Sequence, residues 1–227
     1  MAIIICIETS GQTASVALAI EGSCVAVRES KTQKEHSAFI QPAIQEMLKD
    51  ANISFREINA VSVSVGPGSY TGLRVGLATA KGMCYALNIP LITLGTLDIM
   101  AFVASQLLID KGEEGLIAPM IDARRNEVFT AVYDSKLQTI LAPHALILKE
   151  DSYHSFLSKP VYFIGDGAVK WAFQCSHVNS FFPPLQWNAA NMIKMAEAAY
   201  VQGTFTHPGS AVPYYGKEFY SSHPKAS

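Results

Sequence analysis

Residues 61–81 constrain the fold more than any other part of the 227-residue chain. Val61, Val63 and Val65 alternate with Ser62 and Ser64, the two-residue period of a strand, in residue types that suit one. The strand must stop at Gly66-Pro67-Gly68. Pro67 fixes its own φ and drives Gly66 out of the helical region, and Gly68 can take a positive φ without steric cost. Ser69 or Thr71 then caps a helix whose first turn presents N–H groups at the strand's end, an anion site in many α/β proteins.

Within that helix Leu73, Leu77, Ala80, Cys84 and Leu87 share one face, which is expected to lie on a sheet. Beside them run Gly72, Gly76, Thr79 and Met83. A helical glycine costs about 1 kcal/mol relative to alanine, and glycines four apart let another backbone come close. Only Arg74 and Lys81 are charged between Tyr70 and Leu87, so the helix should be covered on most of its circumference. Two arrangements satisfy this: a crowded internal helix, or a helix–helix interface with another subunit.

A charged fraction of 16% beside a hydrophobic fraction of 49% is low for a soluble monomer and favours a hidden surface. The net charge of −2 argues against a large nonspecific nucleic-acid footprint. Lys31 with Lys34 and Arg124 with Arg125 are basic pairs too short to form a recognition stripe. No apolar run reaches the roughly 20 residues of a membrane span, and the first apolar segment begins too early to follow a basic signal region. A cytoplasmic chain with no membrane association is expected. Cys6, Cys24, Cys84 and Cys175 are scattered without zinc or dithiol spacing and read as buried free thiols.

Strands are expected over 3–7, 14–20 and 24–28, with Glu21-Gly22 as a hairpin turn. Phe39, Ile40, Ala43, Ile44, Met47 and Ala51 give an apolar helical stripe over 37–51, with Pro42 in its first turn or kinking it. The strand at 61–65, the small-residue helix, a strand at 90–94 and a helix over 96–108 follow. The polar, glycine-rich stretch 111–115 marks a boundary. Beyond it, strands are expected at 116–121, 127–133 and 161–164, and a helix over 188–201. The second half looks like a reduced version of the first.

Glu8-Thr9-Ser10, Glu35-His36-Ser37, Gly66-Pro67-Gly68-Ser69-Tyr70-Thr71-Gly72-Leu73-Arg74 and Ile121-Asp122-Ala123-Arg124, in this order and spacing, resemble the TsaB (YeaZ) family. Pro213-Tyr214-Tyr215 is similar to that family's proline-x-tyrosine tail. The resemblance covers nearly the whole chain and implies an α/β fold of the actin/Hsp70/sugar-kinase, ribonuclease H-like type. It implies two related subdomains, 1–110 with partner-binding helices and a smaller 111–227, each a mixed sheet with flanking helices and a cleft between.

In that superfamily, turns after the first strand of each subdomain hold phosphates. Here alanine and two arginines follow Asp122 where a glycine would let the backbone approach. Glu8, Thr9, Ser10, Gly66, Gly68, Asp122 and Gly165 are therefore what the resemblance leaves as a residual nucleotide or anion site. The catalytic relative TsaD holds a metal through two histidines four residues apart on a helix. In this chain His36 is followed four residues later by Ile40, so no metal is expected. Ser69 lacks the G-x-S-x-G surroundings of a nucleophile and reads as a cap. Asp122, Arg124 and Glu127 read as a charged hairpin turn, with acid–base chemistry as the alternative.

The resemblance implies a noncatalytic subunit, with no cofactor of its own, in the complex that makes N6-threonylcarbamoyladenosine at position 37 of tRNA. Metal and threonylcarbamoyl-adenylate would sit on a TsaD-type catalytic partner, and ATP on a TsaE-type ATPase. tRNA would be met only through the complex, and the chain alone would form a homodimer. The expected partner surface is His36, Phe39, Ile40, Ala43, Met47, Tyr70, Gly72, Gly76, Thr79 and Met83. The competing expectation is an independent enzyme, a small-molecule kinase, ATPase or peptidase, using the cleft.

Overall fold

The computed structural model describes residues 2–30 and 36–216. β1 (Ile3–Glu8), β2 (Ser15–Ile20) and β3 (Ser23–Glu29) form an antiparallel meander. Glu21 and Gly22, both at positive φ, make the tight turn between β2 and β3. α1 (His36–Asp50) follows, continuing through Pro42, which lies beyond its first turn. β4 (Ala60–Ser64) and β5 (Leu91–Leu94) then add in parallel beside β1, connected by α2 (Tyr70–Leu87). The sheet order is β3-β2-β1-β4-β5.

After α3 (Thr96–Lys111) the pattern repeats. β6 (Leu116–Asp122), β7 (Glu127–Tyr133) and β8 (Thr139–Ile147) are antiparallel, and β9 (Val161–Ile164) and β10 (Ser180–Phe181) add in parallel. Their order, β10-β9-β6-β7-β8, is the first sheet's order read from the other end. The helices α4 (Ala168–Ala172) and α5 (Ile193–Gln202) complete the set of α-helices among the described residues. Sequence reading missed β8 and β10. β8 is an edge strand, largely open to water and carrying Pro143, so neither alternation nor composition marks it.

The uninterrupted apolar run in β1 is explained by its two covered faces. Ile3, Ile5 and Ile7 point to α1 and α2, among Ile40, Ile44, Met47, Leu77 and Ala80. Ile4 and Cys6 point the other way, to Ile99 of α3 and to Ala189, Met192, Ile193 and Ala196. The face of α3 formed by Leu97, Met100, Ala101, Ala104 and Leu108 packs on Ile117, Ile121, Ala131, Tyr133 and Ile164. The helix is therefore sandwiched between the two sheets.

Packing crosses the expected boundary at 110/111, since each sheet is covered in part by the other half of the chain. α3, expected in the first subdomain, lies mainly against the second sheet, and residues 189–196, expected in the second, cover the first. Residues 217–227 of the second segment lie outside the described residues. The thiol reading is corrected in part. Cys6 and Cys84 are buried, and burial pushes the Cys6 thiol far up and the Cys84 thiol up to about 11, whereas Cys24 is exposed and Cys175 half-buried. Among the described residues no helix is long and apolar enough to cross a membrane.

Candidate functional site: the interlobe cleft and the face of α1 and α2

Four turns converge between the lobes, one after each of β1, β4, β6 and β9. They bound a cleft of about 1060 Å³ lined by Ser10, Gln12, Gly68, Ser69, Tyr70, Asp122, Arg124, Arg125, Phe129, Asp166 and Lys170, among others. Gly66 and Gly68 have φ of 110° and 155°. A Cβ on Gly68 would lie 2.5 Å from the Ser10 carbonyl oxygen, so glycine lets the β4 turn close onto the β1 turn. Ser69 N–H donates to that same carbonyl at 2.7 Å, and the Ser69 hydroxyl accepts from Gly72 N–H at 3.3 Å, the expected cap. Two of the N–H groups at this turn, those of Ser69 and Gly72, are thus used within the chain.

Glu8 does not face the cleft. Its carboxylate is buried and accepts from Ser10 N–H at 2.6 Å and from the Ser10 hydroxyl at 2.5 Å. Burial pushes this carboxyl up, and the hydrogen bonds from Ser10, Ser64 and Thr9 pull it down without winning. Thr9 is fully buried beneath Gly76 of α2, and Gly66 is buried against the Tyr214 carbonyl. Glu8, Thr9 and Gly66 therefore lie behind the cleft's floor rather than among the residues that line it. Ser10, Gly68 and Asp122 do line the cleft. Gly165 lines a neighbouring, largely apolar pocket of about 640 Å³ with Phe173, Phe182 and Trp187.

The second turn is closed by charge. Lys170 Nζ lies 2.5 Å from Asp122 Oδ1, which also accepts from Arg124 N–H at 2.6 Å. Partial burial raises the Asp122 carboxyl, but Lys170 and Arg124 together bring it below the usual carboxylate value. Arg124 and Arg125 occupy the left-handed region at φ 68° and 52°, as a tight hairpin turn requires. Lys170 is the residue sequence reading missed here. It lies 48 positions from Asp122 on a different element, a separation that no local pattern bridges.

On the opposite side of α2, the partner surface expected from sequence is only partly exposed. Ile40, Ala43 and Met47 are core residues beneath the helices, and Gly72 and Gly76 are buried. Any side chain at Gly76 would collide with Thr9 Oγ1. The close approach at Gly76 is made by the side chain of Thr9, from the chain's own β1 turn. Phe39 is half-buried against the same core. Tyr70 is exposed at the N-terminus of α2. Lys31, Lys34 and Glu35 lie outside the described residues, as does the side chain of His36.

Thr79 and Met83 do reach the surface, where they line a groove of about 290 Å³ between the helices with Gln41, Phe55, Ala78, Gly82 and Ala86. Ala78, Gly82 and Ala86 form a second small-residue strip, again four apart, and a Cβ on Gly82 would meet nothing within 4 Å. Tyr85 beside it is 90% exposed. Shifting the small-residue pattern one register along α2 would have found this strip from sequence. Among the described residues no cluster of three or more His, Cys, Asp or Glu is placed to hold a metal.

Residues 27–158 match the family model described as TsaD, tRNA N6-adenosine threonylcarbamoyltransferase. The chain is 32% identical over 166 residues to the Bacillus subtilis protein named tRNA threonylcarbamoyladenosine biosynthesis protein TsaB, covering 71% of this chain and 70% of that one. The chain belongs to the TsaB (YeaZ) family. The Escherichia coli TsaB is 35% identical over 130 residues, 57% of this chain and 54% of that protein. YeaZ from Pseudomonas aeruginosa superposes with a TM-score of 0.76 over 95% of this chain and 100% of that one, at 22% identity. The fold is accordingly the actin-like one of the TsaB family, with two mixed sheets flanked by helices. The four cleft turns are where that fold brings its strand ends together.

Proposed function

We propose that this chain acts in the biosynthesis of threonylcarbamoyladenosine on tRNA as a noncatalytic subunit that binds and activates a TsaD-type catalytic subunit. The observation that carries this reading is the face of α1 and α2. A low-charge strip of small residues, Ala78, Gly82 and Ala86, lies open beside Thr79, Met83 and the exposed Tyr85. Such a strip lets a partner helix come close at little cost in desolvated charge. Two further features support it. The position where TsaD would carry its second metal-binding histidine is Ile40, which is 0% exposed in the core, and Asp122 is committed to Lys170.

The catalytic partner would carry the metal and the threonylcarbamoyl-adenylate, and a TsaE-type ATPase would join the pair. tRNA would meet this subunit only through the complex. Without its partner the same face would pair with a second copy. The test is co-purification with the cognate TsaD-type subunit after Gly82→Leu. Because a Cβ on Gly82 would meet nothing within 4 Å among the described residues, the substitution should leave folding intact while abolishing the complex and tRNA modification in a reconstituted reaction. Unchanged complex formation would sink the docking assignment.

The size of the cleft favours one second reading, an independent small-molecule kinase or ATPase. Calorimetry with ATP and magnesium separates the two. The subunit reading expects no tight binding, whereas strong binding abolished by Arg124→Ala would revive the enzyme.

A further inference from the structure

After α5 the chain returns to the first lobe. Thr206 N–H donates to Leu91 O at 2.8 Å. Ala211 is buried in the core beneath α1 and α2, and its carbonyl accepts from Lys81 Nζ at 3.1 Å. From this anchor the next five residues run to the rim of the cleft. Tyr214 N–H donates to Val65 O at 2.7 Å, just beyond β4, and the Tyr214 carbonyl occupies the space beside Gly66. Tyr215 packs against Tyr70 with the rings tilted by 34° and their centroids 4.9 Å apart, and accepts a hydrogen bond from Arg74 Nε at 3.0 Å. Arg74 in turn lies 4.3 Å from the centre of the Tyr70 ring.

The same segment also reaches the second lobe. The Tyr214 hydroxyl donates to Pro143 O of β8 at 3.3 Å, and Gly216 lies against the ring of Phe129 on β7, where a Cβ would come within 2.5 Å of Cε1. Tyr70 and Phe129 both line the cleft, and they belong to opposite lobes. Burial alone does not account for this path: Pro213, Tyr215 and Gly216 are half-buried, but Val212 is 72% and Tyr214 43% exposed. Directed polar and ring contacts hold it, and contacts open to water are readily exchanged for solvent.

We propose that residues 211–216 are a releasable interlobe strap, anchored at Ala211, Tyr214 and Tyr215 on the first lobe and bearing on Pro143 and Phe129 of the second, that sets the width of the cleft. Because its exposed contacts are replaceable by water or by a bound partner, the strap can open without unfolding either sheet. This stands whether or not the face of α1 and α2 docks a catalytic subunit.

The test places spin labels at Lys49→Cys in the first lobe and Thr139→Cys in the second, in a Cys24→Ser, Cys175→Ser background of the full chain. Dipolar spectroscopy should give one narrow interlobe distance distribution. In Tyr214→Ala, Tyr215→Ala the distribution should broaden and move outward while amide protection in β1 and β6 is retained. An unchanged distribution overturns the strap. If the alanine pair fails to fold, Tyr214→Phe decides. It removes only the hydroxyl that reaches Pro143 and should still broaden the distribution, and a distribution identical to the parent's overturns the proposal.

Discussion

β3-β2-β1-β4-β5 in one lobe is matched strand for strand by β8-β7-β6-β9-β10 in the other, with the same mixture of parallel and antiparallel pairs. Between the third and fourth strands, however, the first lobe carries the 15-residue α1, where the second has a short 3-10 turn at His154–Phe156. After the fourth strand stand the 18 residues of α2 in one lobe and the five of α4 in the other. In both lobes a glycine turn closes onto the end of the central strand, Gly68 onto Ser10 and Gly167 onto Met120 and Ile121. The shared sheet pattern makes the cleft. Among the described residues, the unequal helices leave the broader helical face on the first lobe.

The cores differ as well, and the strongest prediction sharpens this contrast. The first lobe is filled by Ile, Val, Leu and Ala, whereas the second packs Trp171 against Tyr153 and Phe163 at 5.6 and 6.1 Å between centroids. With only a short helix to cover its sheet, large rings fill the space that helices fill in the other lobe. Trp171→Ala should cost about 3–5 kcal/mol, with hydrogen exchange rising first in β6, β7 and β9. The Trp171 Nε1 is buried without a hydrogen-bond partner among the described residues, so Trp171→Phe should cost much less. Equal losses in the two variants would mean that shape, not the orphaned donor, sets the balance.

Within the first lobe, α2 supplies its own contrast. Gly76→Ala pushes a methyl into Thr9 and should destabilise by about 1–3 kcal/mol in urea melts, whereas Gly82→Ala should be neutral or stabilising by up to about 1 kcal/mol. A loss at Gly82 equal to that at Gly76 would show that helix propensity and packing have been misjudged together.

These two glycines also mark what was legible in the sequence. The valine-serine alternation, the Gly66-Pro67-Gly68 stop, the Ser69 cap and the face through Leu73, Leu77, Ala80 and Cys84 are local signals, and each stands as read. The element order, apart from β8 and β10, was legible for the same reason. What a helix's second face meets is decided by chain far away in sequence. Gly76 meets Thr9, Asp122 meets Lys170 and Gly66 meets Tyr214, and none of these pairings leaves a periodic trace. The exchange of α3 and residues 189–196 between lobes escaped for the same reason.

The acids that end the two central strands respond oppositely to their settings. Glu8 ends β1 in a buried site, and burial raises its carboxyl above the usual value of about 4.3. The unfolded chain therefore loses this proton at lower pH than the folded one, and the neutral carboxyl's contribution to stability is lost as pH rises through the folded value. Glu8→Gln keeps an acceptor for Ser10 and carries no charge. It should melt at a higher temperature than the parent at pH 8, with the difference disappearing near pH 4.

Asp122 ends β6 at the cleft's edge, and its carboxyl is lowered, with Lys170 and the Arg124 N–H outweighing partial burial. The sign reverses: the stabilisation is present above the unfolded carboxylate value of about 3.9 and is lost as pH falls through the lowered folded value. Because the pair's side chains are 22% and 40% exposed, solvent screening limits Lys170→Met to at most about 1 kcal/mol near pH 7, shrinking in high salt. Thermal melts of parent and Lys170→Met should converge as the pH falls below the lowered folded value of Asp122. A difference that survives in acid would instead assign the effect to the aliphatic stem of Lys170 packing over the β6–β7 turn, and the charge-closed turn of the second lobe would then be a packing feature like its counterpart in the first.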